Sequence, residues 1–371
     1  MNTQGPLAGI RVVEFAALGP VPFCGMLLAD LGAEVLRIDR PGTPERPSDI
    51  LARGKSSMIL DLKTQAGREQ ALEAAAHADV LMEGLRPGAM ERLGLGPDTV
   101  LVKAPHLVYT RVTGWGQGGP LAHTAGHDIN YIAVAGALGA FGPDGAPPVA
   151  PINLVGDFGG GALYAAFGIL SALLERQRSG MGQVIDVAMV DGTASMLAML
   201  LSHHQGARTG TGTRRGQYFL DGSAPYYRSY VCADGRWIAL GAIEPQFWST
   251  FAGKLGLESV PSQAPEDWQQ VTGLLVETFR TRTRDEWIAI FDGSDACVSP
   301  VLDVDELAGF DHLKARETYV TRDKLFQPSA APRFSRTPGA IHGGPAHPGA
   351  GGRQLLDNWI ARLNSVASSK T

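Results

Sequence analysis

The chain has 371 residues, 44% apolar and 19% charged, which is globular composition and excludes a mainly disordered chain. A net charge of -5 excludes general nucleic-acid attraction, so any anionic ligand must be held by local Arg or Lys. Three distant cysteines, Cys24, Cys232 and Cys297, exclude a disulfide framework and a CxxC metal site and fit a reducing compartment. At about twice the usual domain length, the chain is expected to form one large or two smaller domains.

The first forty residues read as β-α-β. Residues 10–15 make a short apolar run suited to a buried parallel strand. Pro20 and Pro22 mark a helix start, residues 23–31 carry helical periodicity, Gly32 ends the helix, and 34–38 is a second strand. Further pairs follow: helix 65–78 with strand 79–82, and helix 97–103 with strand 106–112. Strands alternating with helices predict an α/β fold, a doubly wound parallel sheet. Residues 158–174 are uncharged and Gly/Ala-rich, under about 18 residues, and read as a buried helix rather than a membrane span. The pattern continues with strand 184–189 and helix 191–202. No targeting segment is apparent, and a cytoplasmic location is the default expectation.

After 202 the pattern changes. Residues 203–224 read as a linker of Gly, Thr and Arg, followed by a smaller α+β domain over 225–324. Within it, runs at 226–232 and 237–241 flank Asp234-Gly235, a hairpin signal. Helices are expected near 247–255, 268–280 and 284–291. A Pro/Gly-rich stretch, 327–353, reads as a second linker, and 354–363 as a short amphipathic helix. The large domain is thus expected to comprise 1–202 and 325–371.

Several groups could carry chemistry. Gly114 to Gly119 matches GxGxxG formally, but Pro120 follows and no helix opens there, which argues against a dinucleotide cradle. His127, at a strand-to-helix junction, is either a general base or a structural histidine satisfied by a carbonyl. Asp157, ahead of Gly159-Gly160-Gly161, is either a helix N-cap or a base or nucleophile beside free amides. Glu244 follows an apolar strand and reads as a solvated residue or a helix cap. Arg37, Arg40, Arg53, Lys55, Lys63, Arg86 and Arg92 are either solvated charge or a phosphate site at the sheet's strand ends. Met189, Met196 and Met199 suit plain core or a wall adaptable to acyl chains. No motif implies a metal.

Together, GIRVVEFAALGPVPFCGMLLADLGAEVLRIDRPG (9–42), TGWGQGGP (113–120), AGHDINY (125–131), NLVGDFGGG (153–161), GQVIDVAMVDG (182–192), GAIEPQF (241–247) and SDACVSPVL (294–302) resemble the family III CoA-transferase (CaiB/BaiF) superfamily. Histidine where the transferases have tyrosine, and glutamate in GAIEP, place the likeness in its racemase branch. The resemblance implies an interlocked homodimer with a Rossmann-like large domain, a small α+β domain and a site at the dimer interface. It implies His127 and Asp157 as the acid/base pair acting on 2-methylacyl-CoA thioesters through an enolate, with Glu244 of a second copy beside the histidine. The CoA contacts it implies are Arg40, Leu60, Asp61, Leu62, Lys63, Gly84, Leu85, Arg86, Arg92, Gly126, Asp128, Ile129, Asn130 and Tyr131. CoA is part of the substrate, so no separate cofactor is implied, nor nucleic acid or membrane. Two other readings are a CoA-transferase with Asp157 as nucleophile and a non-catalytic acyl-CoA binder.

Overall fold

Short runs of Val, Ile and Leu set the frame. In the computed structural model, which describes residues 5–206 and 212–368, they form six strands. These are β1 (Arg11–Phe15), β2 (Glu34–Asp39), β3 (Lys55–Ile59), β4 (Val80–Glu83), β5 (Val108–Thr113) and β6 (Val184–Ala188). They pair in parallel in the order β3-β2-β1-β4-β5-β6. Alternate side chains leave opposite faces. Val13, Leu36 and Leu81 pack one face with Ala71, Ala74 and Trp359. Val12, Val35 and Val80 pack the other with Leu28, Ala165 and Ile169.

The chain runs outward from β1 to β3 and returns beside β1 as β4. The loops leaving β1 and β4 therefore diverge and open a crevice at the strand C-termini, where ligands of such sheets bind. β3, with the sequence KSSMI, is a strand that hydrophobic patterning did not predict. Its buried polar groups are satisfied individually: Lys55 Nζ donates to Glu14 Oε2 at 2.6 Å, and Ser57 Oγ donates to Asp39.

Other elements depart from expectation in detail. The expected helix 191–202 is two, Met189–Met196 and Ala198–His204, interrupted at Leu197. The last helix is longer than expected, Gly352–Ser368, because Trp359 is fully buried with its indole N–H on Glu34 at 2.8 Å. The expected second linker, 327–353, begins inside the second strand of a hairpin, β10 (Tyr319–Arg322) and β11 (Leu325–Pro328). The helical stretch Leu154–Ser179 is long and apolar enough to cross a membrane by length and composition. It packs Ala162, Ala165, Ile169, Ala172 and Leu173 into the core and leaves Leu163, Phe167, Leu170 and Leu174 exposed.

The chain divides into two compact units. One gathers the residues up to Ala135, Ile152–Met196 and those from Asp311 on; the other is Gly136–Pro151 with Leu197–Phe310. The expected linker at 203–224 includes 207–211, which lie outside the described residues. The second unit holds an antiparallel sheet of β7 (Tyr227–Val231), β8 (Trp237–Gly241) and β9 (Val298–Pro300). Its hairpin turns at Asp234-Gly235 as expected, with Gly235 at φ 75°. Trp248, Phe251, Phe279, Trp287 and Phe291 form its core.

A buried ion pair ties the first unit together. Arg53 forks onto Asp30 at 3.0 and 2.5 Å and donates to Gln327 Oε1 and Pro328 O, both at 2.8 Å. Removing one partner of a buried pair leaves the other charge uncompensated. Arg53→Met is expected to lower the unfolding free energy by about 3–5 kcal/mol in urea titration. A midpoint unchanged from wild type would show that this pair does not tie β11 to the sheet.

Candidate active site

The crevice between the loops after β1 and β4 holds a cavity of about 440 Å³. Its wall comprises Ala17–Val21 after β1, Gly84–Pro87 after β4, Val112–Trp115 at the end of β5, and Gly126, His127, Tyr131, Asp157 and Met189. A second cavity of about 590 Å³ lies across the β1 loop and shares Ala17, Leu18, Gly19 and Leu85 with the first.

Asp157 is not an N-cap. It lies in the first turn of a wide helix, Leu154–Leu163, capped by Asn153. The i to i−5 repeat is seen in Phe158 N–H to Asn153 O at 3.3 Å. Asn153 Nδ2 donates to Asp157 Oδ2 at 3.2 Å, and the Asp157 backbone N–H donates to Asp128 Oδ2 at 2.6 Å. Of the amides expected to be free here, the Asp157 N–H is therefore taken. Gly19, at φ 68°, faces the carboxylate; a Cβ there would stand 2.6 Å from Asp157 Oδ2. Burial pushes the Asp157 carboxyl above the ordinary range. The Asp128 charge adds to that, while the Asn153 hydrogen bond and His127 oppose it.

His127 precedes the helix Asp128–Val134 as its N-cap residue. Its backbone is fixed: its N–H donates to Asn130 Oδ1 at 3.0 Å, and its carbonyl accepts from Asn130 N–H at 2.8 Å. The Tyr131 hydroxyl donates to Gly126 O, and its ring stands edge-on to Trp115 at 4.9 Å. The imidazole, exposed at the cavity wall, thus rests on a rigid backbone.

The remaining expected residues separate. Gly84, Leu85, Arg86, Gly126 and Tyr131 line the first cavity. Arg40, Leu60 and Leu62 line the second, together with Leu85 and with Arg46, which the sequence analysis did not single out. Asp61 and Lys63 are exposed in the following loop, where Lys63 N–H donates to Asp61 Oδ1 at 3.0 Å. Ile129 and Asn130 are exposed, and Arg92 is exposed and lines neither cavity. Asp128 is buried and turned inward toward Asp157, not outward as a ligand contact.

Three members of the expected basic cluster are engaged in ion pairs: Arg53 with Asp30, Lys55 with Glu14, and Arg37 with Asp39 at 2.8 Å. Glu244 is exposed at the N-cap of the helix Pro245–Leu255 in the second unit. Of the methionines, Met189 lines the first cavity, while Met196 and Met199 are exposed. The Gly114–Gly119 segment folds back on β6, with Gln117 N–H on Asp186 Oδ2 at 2.9 Å, and opens no helix. Asn153 was missed. Its signal is the i, i+4 spacing to Asp157 on a helix, legible only once the helix is known to begin there.

A parallel sheet in the order 3-2-1-4-5-6, with an imidazole and a carboxyl lining one cavity at its switch point, defines a doubly wound α/β protein. The family model for CoA-transferase family III matches residues 7–354, and the chain belongs to that family. It is 48% identical over 337 residues to the α-methylacyl-CoA racemase of Mus musculus, covering 90% of this chain and 87% of that one. It is 45% identical over 336 residues to the Homo sapiens protein of the same name, again covering 90% and 87%. The crystal structure of a CaiB/BaiF family protein from Brucella suis matches with TM-score 0.82 at 24% identity, covering 96% of this chain and 100% of that one, which shows the fold.

The Asp157 environment has a cost for folding. A carboxyl whose folded pKa is raised contributes stability below its unfolded value, and that contribution is lost as pH rises through the folded value. Asp157→Asn is therefore expected to unfold later than wild type at neutral pH, the difference fading below the unfolded value of about 3.9. A variant less stable than wild type at pH 7 would contradict the raised value.

Proposed function

We propose that the protein interconverts (2R)- and (2S)-2-methylacyl-CoA thioesters by moving the C2 proton through an enolate, with His127 and Asp157 on opposite faces of the carbon. The observation that carries this reading is that an imidazole and a carboxyl biased toward its protonated form line one cavity. The α-methylacyl-CoA racemases among its relatives support the choice of substrate and of isomerase chemistry.

A thioester α-proton is weakly acidic. Removing it needs a placed base, and the enolate needs charge stabilisation. In one direction, neutral His127 takes the C2 proton through a ring nitrogen, and the electron pair moves onto the thioester oxygen. The Asp157 carboxyl then delivers its proton to the other face, regenerating the C=O bond. The reverse direction starts from ionised Asp157 and protonated His127. One proton shared by two groups serves both directions, and burial holds the Asp157 carboxyl above the ordinary aspartate range. With the Asp157 N–H taken by Asp128, the backbone amides of Asp128 and Ile129 at the start of the helix Asp128–Val134 would meet the enolate oxygen. This chemistry needs only an acid, a base and a dipole, and CoA enters as part of the substrate.

The second cavity, with Arg40 and Arg46, suits the CoA phosphates, and Leu60 and Leu62 suit its apolar parts. Asp61, Lys63 and Arg92 are assigned to the surface around it, and Gly84, Leu85, Arg86, Gly126, Ile129, Asn130 and Tyr131 to the path toward the thioester. Holding CoA remote from C2 fixes the orientation of the reacting carbon. The exposed apolar side chains of Leu163, Phe167, Leu170 and Leu174 support association with a second copy as a homodimer. In it, Glu244 of one copy would orient His127 of the other.

The test is incubation with a (2R)-2-methylacyl-CoA in deuterated water. Solvent deuterium at C2 together with the 2S epimer is expected. His127→Ala and Asp157→Asn should each lose about 10²–10⁴-fold. CoA passing to an added carboxylate, with an aspartyl intermediate trapped by hydroxylamine, would instead make Asp157 a nucleophile and overturn the reading.

A further inference from the structure

A carboxylate in contact with Asp157 was expected to face the ligand, and it does not. Asp128 is buried at the start of the helix Asp128–Val134. Its Oδ2 accepts the Asp157 backbone N–H at 2.6 Å, and its Oδ1 is buried with no hydrogen-bond partner among the described residues. The fit is close on the other side too. A Cβ at Gly156 would lie 2.5 Å from Asp128 Oδ2, so the wide helix approaches this carboxylate only through a glycine.

We propose that Asp128 is a positioning residue, whose side chain clamps the Asp157 backbone in the wide helical turn and whose charge keeps the catalytic proton on the Asp157 carboxyl. This rests on the acid/base reading of the site given above. Two features support it. The hydrogen bond holds the main chain of Asp157 and does not engage its carboxyl, whose Oδ2 accepts from Asn153. The second Asp128 oxygen, unsatisfied and away from water, leaves the Asp128 charge little screened, so its repulsion of a nearby negative charge is felt strongly.

The groups facing Asp157 are few. Asp128 and His127 come from one helix start and act in opposite senses, and Asn153 donates from its own helix. Tyr131, next along, feels Asp157, Arg86 and Asp128. Gly19 and Pro20 from the β1 loop and Met189 from the following helix add no charge. Of these, only Asp128 opposes ionisation of Asp157 by charge.

The consequence is a signature in pH dependence. The site works with one proton shared by His127 and Asp157, and activity falls on the acid side when the pair takes up a second. Asp128→Asn keeps shape and an acceptor for the Asp157 N–H but removes the charge. Asp157 then gives up its proton more readily, the second proton is taken up only at lower pH, and the acid limb of kcat/KM moves to lower pH. In the neutral range, turnover in the direction that uses Asp157 as the acid falls as well. Asp128→Ala, which also removes the acceptor, should lose on the order of 100-fold in kcat through misplacement of Asp157.

The experiment follows α-proton exchange of a 2-methylacyl-CoA against pH for wild type, Asp128→Asn and Asp128→Ala, with thermal unfolding of each. An acid limb moved down in folded Asp128→Asn supports the proposal, and a limb in the wild-type position overturns it. Wild type that exchanges no proton at any pH overturns the racemase reading itself, which is a separate result. If neither variant folds, the amide proton of Asp157 in the wild-type protein decides by NMR. A downfield resonance that moves as a neighbouring carboxylate titrates supports the clamp, and a resonance indifferent to acid titration overturns it.

Discussion

The site depends on an Asp157 carboxyl that ionises less readily than a free aspartate. The protein achieves this with burial. Asp157 is drawn into a helical turn against the sheet's crevice, where its charged form loses solvation. The cavity wall around it is largely glycine, alanine and apolar side chains. A hydrogen bond from Asn153 offsets part of the effect, so the carboxyl is biased toward its protonated form without being locked in it.

Placement follows from the sheet. With β1 and β4 adjacent, the loop after β1 has no crossover above it and can line two cavities at once. Gly19 in that loop has the positive φ and the missing Cβ that allow Asp157 to approach. The helical stretch carrying Asp157 then continues into the Tyr164–Ser179 helix, which packs on β5 and β6 through its small residues. The Asp157 carboxyl is thereby anchored to the core by the same element that presents it. His127 is held differently, by the capping hydrogen bonds of a short helix start.

How much of this was legible in the sequence depends on the physics of each residue. Apolar strands announce themselves, and β1, β2, β4, β5 and β6 lie within two residues of where patterning puts them. β3 does not, because its inward residues include Lys55 and Ser57, whose burial rests on partners more than fifteen positions away. The same blindness affects the basic cluster. Arg53 and Lys55 read like phosphate ligands in one dimension and become buried counter-ions in three. From its neighbours alone Asp157 read either as a helix cap or as a base or nucleophile, and a wide turn has no composition that announces it. Asp128, expected among the CoA contacts, accepts the Asp157 N–H instead, since facing the ligand or facing the neighbouring backbone differs by rotation within one helical turn.

The central claim is that Asp157 holds its proton at a pH where an ordinary aspartate has lost it. Carbon-13 NMR of the protein labelled at aspartate Cγ tests it directly, with the Asp157 signal assigned by its absence in Asp157→Asn. The account predicts a titration midpoint clearly above the ordinary aspartate value of about 3.9. A midpoint at or below that value would contradict it.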